Sequence, residues 1–269
     1  KIIFNNTMYS KISLTVGGSD SGGGAGIQAD LKTFMSHNVH GCSVITCVTA
    51  QNSVNVIDVE AIGTQMLNNQ FDAVFTDFKI SALKTGMLFN EEIIFNTALK
   101  LKNQSIPKVI DPVMCTRTGA RLLEESAINA YKEFLIPQAE ILTPNIFEAN
   151  LLANTNIKDM NDMEKAGERI LEYGCESVLI KGGGLQELKG KDFFIDKKGN
   201  SYWLKNKFID TKNTHGSGCT LSAAICSQLA LGIDLLESVN KAKAFIEKSL
   251  INSYKIGAGP GPLGHHQSY

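Results

Sequence analysis

Runs rich in β-branched and apolar residues alternate with runs of helical periodicity along almost the whole chain, and this alternation constrains the fold more than any other feature. A strand followed by a helix long enough to cross back over a sheet leads to parallel strands with helices on the faces. Strands are expected at Ile12–Gly17, Cys42–Thr49, Ala82–Met87, Lys108–Val113, Ala139–Thr143 and Ser177–Ile180. Helices are expected at Ala25–His37, Gln65–Asp77, Glu91–Leu101, Glu124–Leu135, Ile146–Ala153, Met160–Tyr173, Thr220–Leu231 and Leu235–Tyr254. In the second helix Met66, Phe71, Val74 and Phe75 form the expected inward face. Lys197-Lys198-Gly199-Asn200 turns a hairpin between Asp192–Asp196 and Ser201–Lys205, the one expected antiparallel exception. A glycine- and proline-rich tail runs from Gly257 to Gly264, and Lys1–Thr7, ahead of Met8, reads as a loose or appended arm. With no linker, repeat or low-complexity segment, residues 1–269 read as a single domain, a three-layer α/β/α sandwich on a mostly parallel sheet.

The net charge of −1 supplies no field for nucleic acid or an anionic membrane, so an anionic ligand must be held by local groups. Cys42, Cys47, Cys115, Cys175, Cys219 and Cys226 form neither a CxxC pair nor a disulfide framework and read as reduced thiols. No apolar run approaches the roughly 20 residues of a membrane span, and no signal-peptide pattern opens the chain. The expectation is a cytoplasmic protein.

In an open α/β sheet, ligands bind beyond the carboxyl ends of the strands. The unusual residues cluster there. The strongest signal is Asn213-Thr214-His215-Gly216-Ser217-Gly218-Cys219-Thr220, which runs straight into an apolar helix. Small residues let successive N–H groups converge at a positive helix end, which suits an anion such as a phosphoryl group in transfer. An ordinary helix N-cap of Gly and Ser is the bland alternative. Cys219 falls in the first turn, where the helix dipole lowers a thiol pKa, so it is a candidate base; a small hydrophobe at a helix start is the alternative.

Gly17–Gly26, with Asp20 among its glycines, follows the first strand; it matches neither a dinucleotide fingerprint nor a P-loop. Asn145 and Glu148 in Thr143-Pro144-Asn145-Ile146-Phe147-Glu148 share one helix face. They are suited either to a hydrated Mg²⁺ or to an N-terminal capping box. Lys181 of Lys181-Gly182-Gly183-Gly184 is a cation where backbone can approach a phosphate, or simply an exposed lysine beside a turn. Asp111 of Asp111-Pro112-Val113-Met114 is a crevice carboxylate that can serve a metal or a hydroxyl.

Together with Thr49-Ala50-Gln51-Asn52, Lys84-Thr85-Gly86-Met87 and Gly259-Pro260-Gly261-Pro262, these segments resemble the ribokinase superfamily over nearly the whole chain. Within it the resemblance is to the hydroxymethylpyrimidine/phosphomethylpyrimidine kinases of thiamin biosynthesis. It implies a ribokinase-like fold and transfer of phosphate from ATP, with Mg²⁺, to a small-molecule alcohol and then to its monophosphate. It places Gly18, Asp20, Gln51 and Met87 on the pyrimidine pocket with Val113 against the ring. Asp111 and Glu148 fall on the metal side, Lys181, Asn145, Thr211 and Gly216 on the ATP side, and Gly216, Ser217, Gly218 and Cys219 with Asp111 at the transferred group. A homodimer is implied as well.

The chain departs from the family's pattern after Met114, where a lysine is common but Cys115-Thr116-Arg117-Thr118-Gly119 stands here. Related pyridoxal kinases carry a cysteine where this chain has Thr116 and lack the glutamine at Gln51, so both positions favour the pyrimidine. A pyridoxal kinase is the nearer alternative and a non-catalytic ligand-binding regulator the farther one. His265 and His266 in the tail are assigned no role.

Overall fold

The computed structural model describes residues 11–114, 123 and 125–266. Nine strands form one sheet: β1 (Ile12–Asp20), β2 (His40–Gln51), β3 (Val56–Ala61), β4 (Ala82–Thr85), β5 (Lys108–Ile110), β6 (Ile141–Leu142), β7 (Ser177–Lys181), β8 (Lys191–Asp196) and β9 (Ser201–Lys205). Their order is β3-β2-β1-β4-β5-β6-β7-β8-β9. The six strands from β2 across to β7 are parallel to their neighbours, while β3, β8 and β9 run antiparallel to theirs. The helices are α1 (Gly26–Ser36), α2 (Thr64–Asp77), α3 (Glu91–Leu101), α4 (Glu125–Ala130), α5 (Ile146–Ala153), α6 (Met160–Leu171), α7 (Ser217–Ala230) and α8 (Leu235–Ile251).

The period of two along the strands divides the core. Leu83, Ile110, Leu142 and Ile180 face one apolar cluster with α2 to α6, while Ala82, Val109, Ile141 and Leu179 face a second with α1, α7 and α8. Those two clusters make the three-layer sandwich expected from the alternation. Cys42, Cys47, Cys175 and Cys226 are buried as small hydrophobes.

Two expectations are corrected. The hairpin is not the sole antiparallel exception, because β3 pairs antiparallel with β2; its residues are mostly exposed, so no apolar run announced it. In α2 the inward stripe is Leu67, Phe71 and Val74, spaced by four and three, which leaves Met66 one position off the stripe and 56% exposed. Lys1–Thr7 and the Cys115–Gly119 loop, with Thr116 and Arg117, lie outside the described residues.

Candidate active site

The parallel strands deliver the candidate residues to one rim. Asp20 and Gln51 close β1 and β2, Met87 follows β4, Asp111 follows β5, Asn145 follows β6, and Lys181 closes β7. Asp111 is 2% exposed. Its Oδ1 accepts from Lys181 Nζ at 3.0 Å and from Thr143 Oγ1 at 3.1 Å, and its Oδ2 accepts from Ser222 Oγ at 3.1 Å. Ser222 lies on α7 just past the candidate anion loop, so the helix carrying that loop is tied to a strand-end carboxylate. A Cβ on Gly218 would stand 3.4 Å from Lys181 Nζ. The head of α7 therefore faces the Asp111–Lys181 pair.

Gly216 makes this approach possible. Its φ is +81°, and a Cβ there would lie 1.9 Å from Gly24 O. No side chain caps α7, and the first N–H groups of a helix have no acceptor within it. Ser217 N already donates to Thr214 O at 3.2 Å, which puts the Gly218 and Cys219 N–H groups at the head of the helix. Thr211 stands at the base of the loop, its Oγ1 3.0 Å from Ser253 Oγ and accepting from Asn213 N at 3.1 Å.

The expected lowering of the Cys219 pKa is reversed. Burial pushes this thiol up to about 11; the Lys84 ammonium opposes that shift, the Asp30 and Asp111 carboxylates add to it, and the Gly26 N–H opposes it. Desolvation of this half-buried thiol outweighs the pull of the helix dipole.

Asn145 and Glu148 form the capping box. Asn145 Oδ1 accepts from Glu148 N at 3.0 Å and Glu148 Oε2 accepts from Asn145 N at 2.8 Å. Glu148 Oε1 also accepts from Met114 N at 3.3 Å. Burial raises the Glu148 carboxyl to about 7; Lys181 opposes this and the charge on Asp111 adds to it. Burial alone would lower Lys181, but Asp111 and Glu148 hold its ammonium above the ordinary range. Two buried carboxylates that repel each other beside one lysine suit Mg²⁺, which takes few protein ligands and keeps waters and phosphates. No group of three His, Cys, Asp or Glu side chains arranged for a metal occurs among the described residues.

On the substrate side, a Cβ on Gly18 would meet Cys47 Sγ at 2.8 Å and Met87 Cβ at 3.8 Å, so Gly18 and Met87 adjoin. Gln51, Met87 and Val113 are half-buried at the rim. The Asp20 carboxylate is turned inward instead. Oδ1 accepts from Gly22 N at 2.8 Å, and Oδ2 from Gly24 N at 3.1 Å and Ala25 N at 2.8 Å. His215 Nε2 lies 2.9 Å from the same Oδ2. Although burial raises its pKa, these hydrogen bonds, led by that from His215, hold Asp20 below the usual carboxylate range. Asp20 thus orders the glycine loop and joins it to the anion loop.

Sequence reasoning passed over Ser222, one of several hydroxyl residues on α7 beside Ser217, Thr220 and Ser227, and nothing in the sequence set it apart from them. It also passed over His265, which is buried with Nε2 2.9 Å from Thr220 Oγ1, so the tail packs onto the first turn of α7.

Residues 20–264 match the family model described as phosphomethylpyrimidine kinase. This chain belongs to that family. The Synechococcus elongatus protein named hydroxymethylpyrimidine/phosphomethylpyrimidine kinase is 49% identical over 259 residues, 96% of this chain and 98% of its own. The Bacillus subtilis protein of the same name is 41% identical over 94% of each chain. Among solved structures, phosphomethylpyrimidine kinase from Clostridium difficile 630 is 41% identical with a TM-score of 0.79, over 88% of this chain and 97% of its own. Bacillus subtilis pyridoxal kinase, solved as an ADP complex, is 36% identical with a TM-score of 0.88, over 95% and 97%. Membership makes the chain a phosphotransferase with the ribokinase-like fold.

Proposed function

We propose that this chain transfers the γ-phosphoryl group of ATP to the hydroxymethyl group of 4-amino-5-hydroxymethyl-2-methylpyrimidine, and then to the resulting monophosphate, in thiamin biosynthesis. The observation that carries this reading is the head of α7 facing the Asp111–Lys181 pair across a rim that ends in Gln51. The relatives' names support the pyrimidine, and neighbouring kinases solved with ADP or AMP-PCP support the nucleotide. The Gly216–Cys219 turn holds the migrating group through backbone donors, and Lys181, with Asn145 and Thr211 flanking, holds the ATP phosphates. Asp111 and Glu148 would hold Mg²⁺, which supplies charge neutralisation on the phosphate oxygens. Gly18, Met87 and Val113 enclose the ring, Gln51 reads its edge, and Asp20 fixes the loop beneath. Asp111, or Cys219 through its small thiolate fraction, takes the alcohol's proton.

The deciding experiment offers ATP with a panel of alcohols and identifies the phosphorylated products by mass. A large preference for pyridoxal moves the substrate to the neighbouring activity, and no ATP consumption with any alcohol leaves a non-catalytic binder. The same reading carries a cytoplasmic homodimer, for which Val56 and Ile57 on the exposed edge strand β3 offer apolar surface. Sedimentation as a monomer at working concentration removes the dimer. No helix among the described residues is long and apolar enough to cross a membrane.

A further inference from the structure

Two side chains bracket the amide of Gln51. One polar atom of that amide lies 3.3 Å from Thr49 Oγ1 and the other 3.5 Å from His215 Nε2. The oxygen and nitrogen of an amide share one shape and are told apart by their partners. With the oxygen beside Thr49, the hydroxyl would have to give its single proton twice, because it already donates to Ser19 O at 2.9 Å. The amide nitrogen would then point at His215 Nε2. That nitrogen carries a proton, since it lies 2.9 Å from the ionised carboxylate of Asp20, and two N–H groups cannot bond each other. In the opposite sense the amide NH₂ donates to Thr49 Oγ1, the N–H against N–H clash disappears, and the carbonyl faces the His215 N–H, which it shares with Asp20.

We propose that Thr49 and His215 are positioning residues that set the sense of the Gln51 amide, its NH₂ toward Thr49 and its carbonyl toward His215. The inference rests on the pyrimidine reading of this pocket. Each end of the amide keeps capacity for a ligand, an N–H on the Thr49 side and a carbonyl lone pair on the His215 side. An aminopyrimidine then docks with its ring nitrogen accepting on the Thr49 side and its amino group donating on the His215 side. In the proposed substrate the hydroxymethyl group is the ring neighbour of that amino group. His215 adjoins Gly216 in the chain, so this sense aims the alcohol at the head of α7, and the reverse sense aims it away. The pair of positioning residues thereby selects both the donor–acceptor edge and the end of the ring that is phosphorylated.

The test compares T49V, T49S and H215F with the unaltered enzyme, measuring kcat and KM for the pyrimidine and for ATP together with the melting temperature. T49V, which loses the Thr49 bonds to Gln51 and Ser19, is expected to raise the pyrimidine KM by about tenfold with the ATP KM moving less than about twofold, and H215F, which also loses the bond to Asp20, is expected to raise the pyrimidine KM at least as much. T49S keeps the hydroxyl and is expected to restore the pyrimidine KM. Discrimination against the analogue with a carbonyl in place of the amino group should narrow in both impaired variants. T49V is nearly isosteric, and H215F keeps a ring packed on Gly24, so each checks the other if one folds poorly. An unchanged pyrimidine KM in a folded T49V, or a T49S as impaired as T49V, or equal rises in both KM values, overturns the assignment. Failure of the unaltered enzyme to phosphorylate the pyrimidine would instead remove the functional reading on which it rests.

Discussion

Two strand lysines, Lys84 and Lys181, each pair with an aspartate, and the two pairs have different fates. Lys84 on β4 donates to Asp30 of α1 at 2.7 Å with both side chains 1% exposed, and Thr15 Oγ1 donates to the other Asp30 oxygen at 2.6 Å. Lys181 at the end of β7 meets Asp111 at 3.0 Å, but its side chain is 16% exposed at the rim. The first pair is closed within the protein, where burial raises the Asp30 carboxyl against the pull of Lys84. The second keeps a face open to the crevice. The same chemistry serves as a buried anchor in one pair and as reactive equipment at the rim in the other. Cys219 feels both pairs, since Lys84 pulls its pKa down while Asp30 and Asp111 push it up.

The open pair should govern turnover. D111N, which keeps the shape but removes the charge, is expected to lower kcat by about 10³-fold or more at little cost in stability. A loss below about tenfold would break the comparison. The closed pair should govern stability. K84M leaves a buried carboxylate without its partner, so denaturant unfolding is expected to show a loss of about 3–5 kcal/mol, and a change under about 1 kcal/mol would make the two pairs equivalent.

Cys219, between the pairs, sharpens the contrast. C219A is expected to lower kcat by about 10²-fold while KM moves less than about threefold. In the unaltered enzyme, alkylation of this thiol should be slow at neutral pH and accelerate toward pH values near its pKa of about 11. Unaltered turnover in C219A removes the thiol from the chemistry.

A smaller effect concerns the tail. Burial holds His265 down to about 4, against an ordinary value of 6.5, so the folded state binds this proton less readily than the unfolded chain. Its contribution to stability is therefore present above about pH 6.5 and lost as pH falls toward 4, a swing of about 3 kcal/mol. H265Q should flatten that part of the stability–pH curve, and an identical acid limb in both proteins would show that His265 does not titrate as placed.

Much of this architecture was legible in the chain. The α3 and α5 boundaries, the hairpin strands and the placement of Asp111, Asn145 and Lys181 after successive strands follow from periodicity and turn chemistry, which are local. The edge strand β3 was not legible, because an exposed strand leaves no apolar signature, and Met66 was misplaced by one helical position. The glycines of the anion loop were visible, but their necessity was not. Gly216 is required by the carbonyl of Gly24, nearly two hundred residues earlier in the sequence.

By itself the sequence determined the order of strands and helices, the small residues at the head of α7 and the set of polar groups brought to the rim, because these depend on neighbours within a few positions. Only the tertiary structure decided what each group does there. It turned Asp20 inward to the glycine loop, closed Asn145 and Glu148 into a cap, raised the thiol of Cys219 and set Thr49 and His215 on either side of Gln51. Burial and long-range hydrogen bonds fix ionisation and orientation, and neither is a property of a residue's neighbours in the chain.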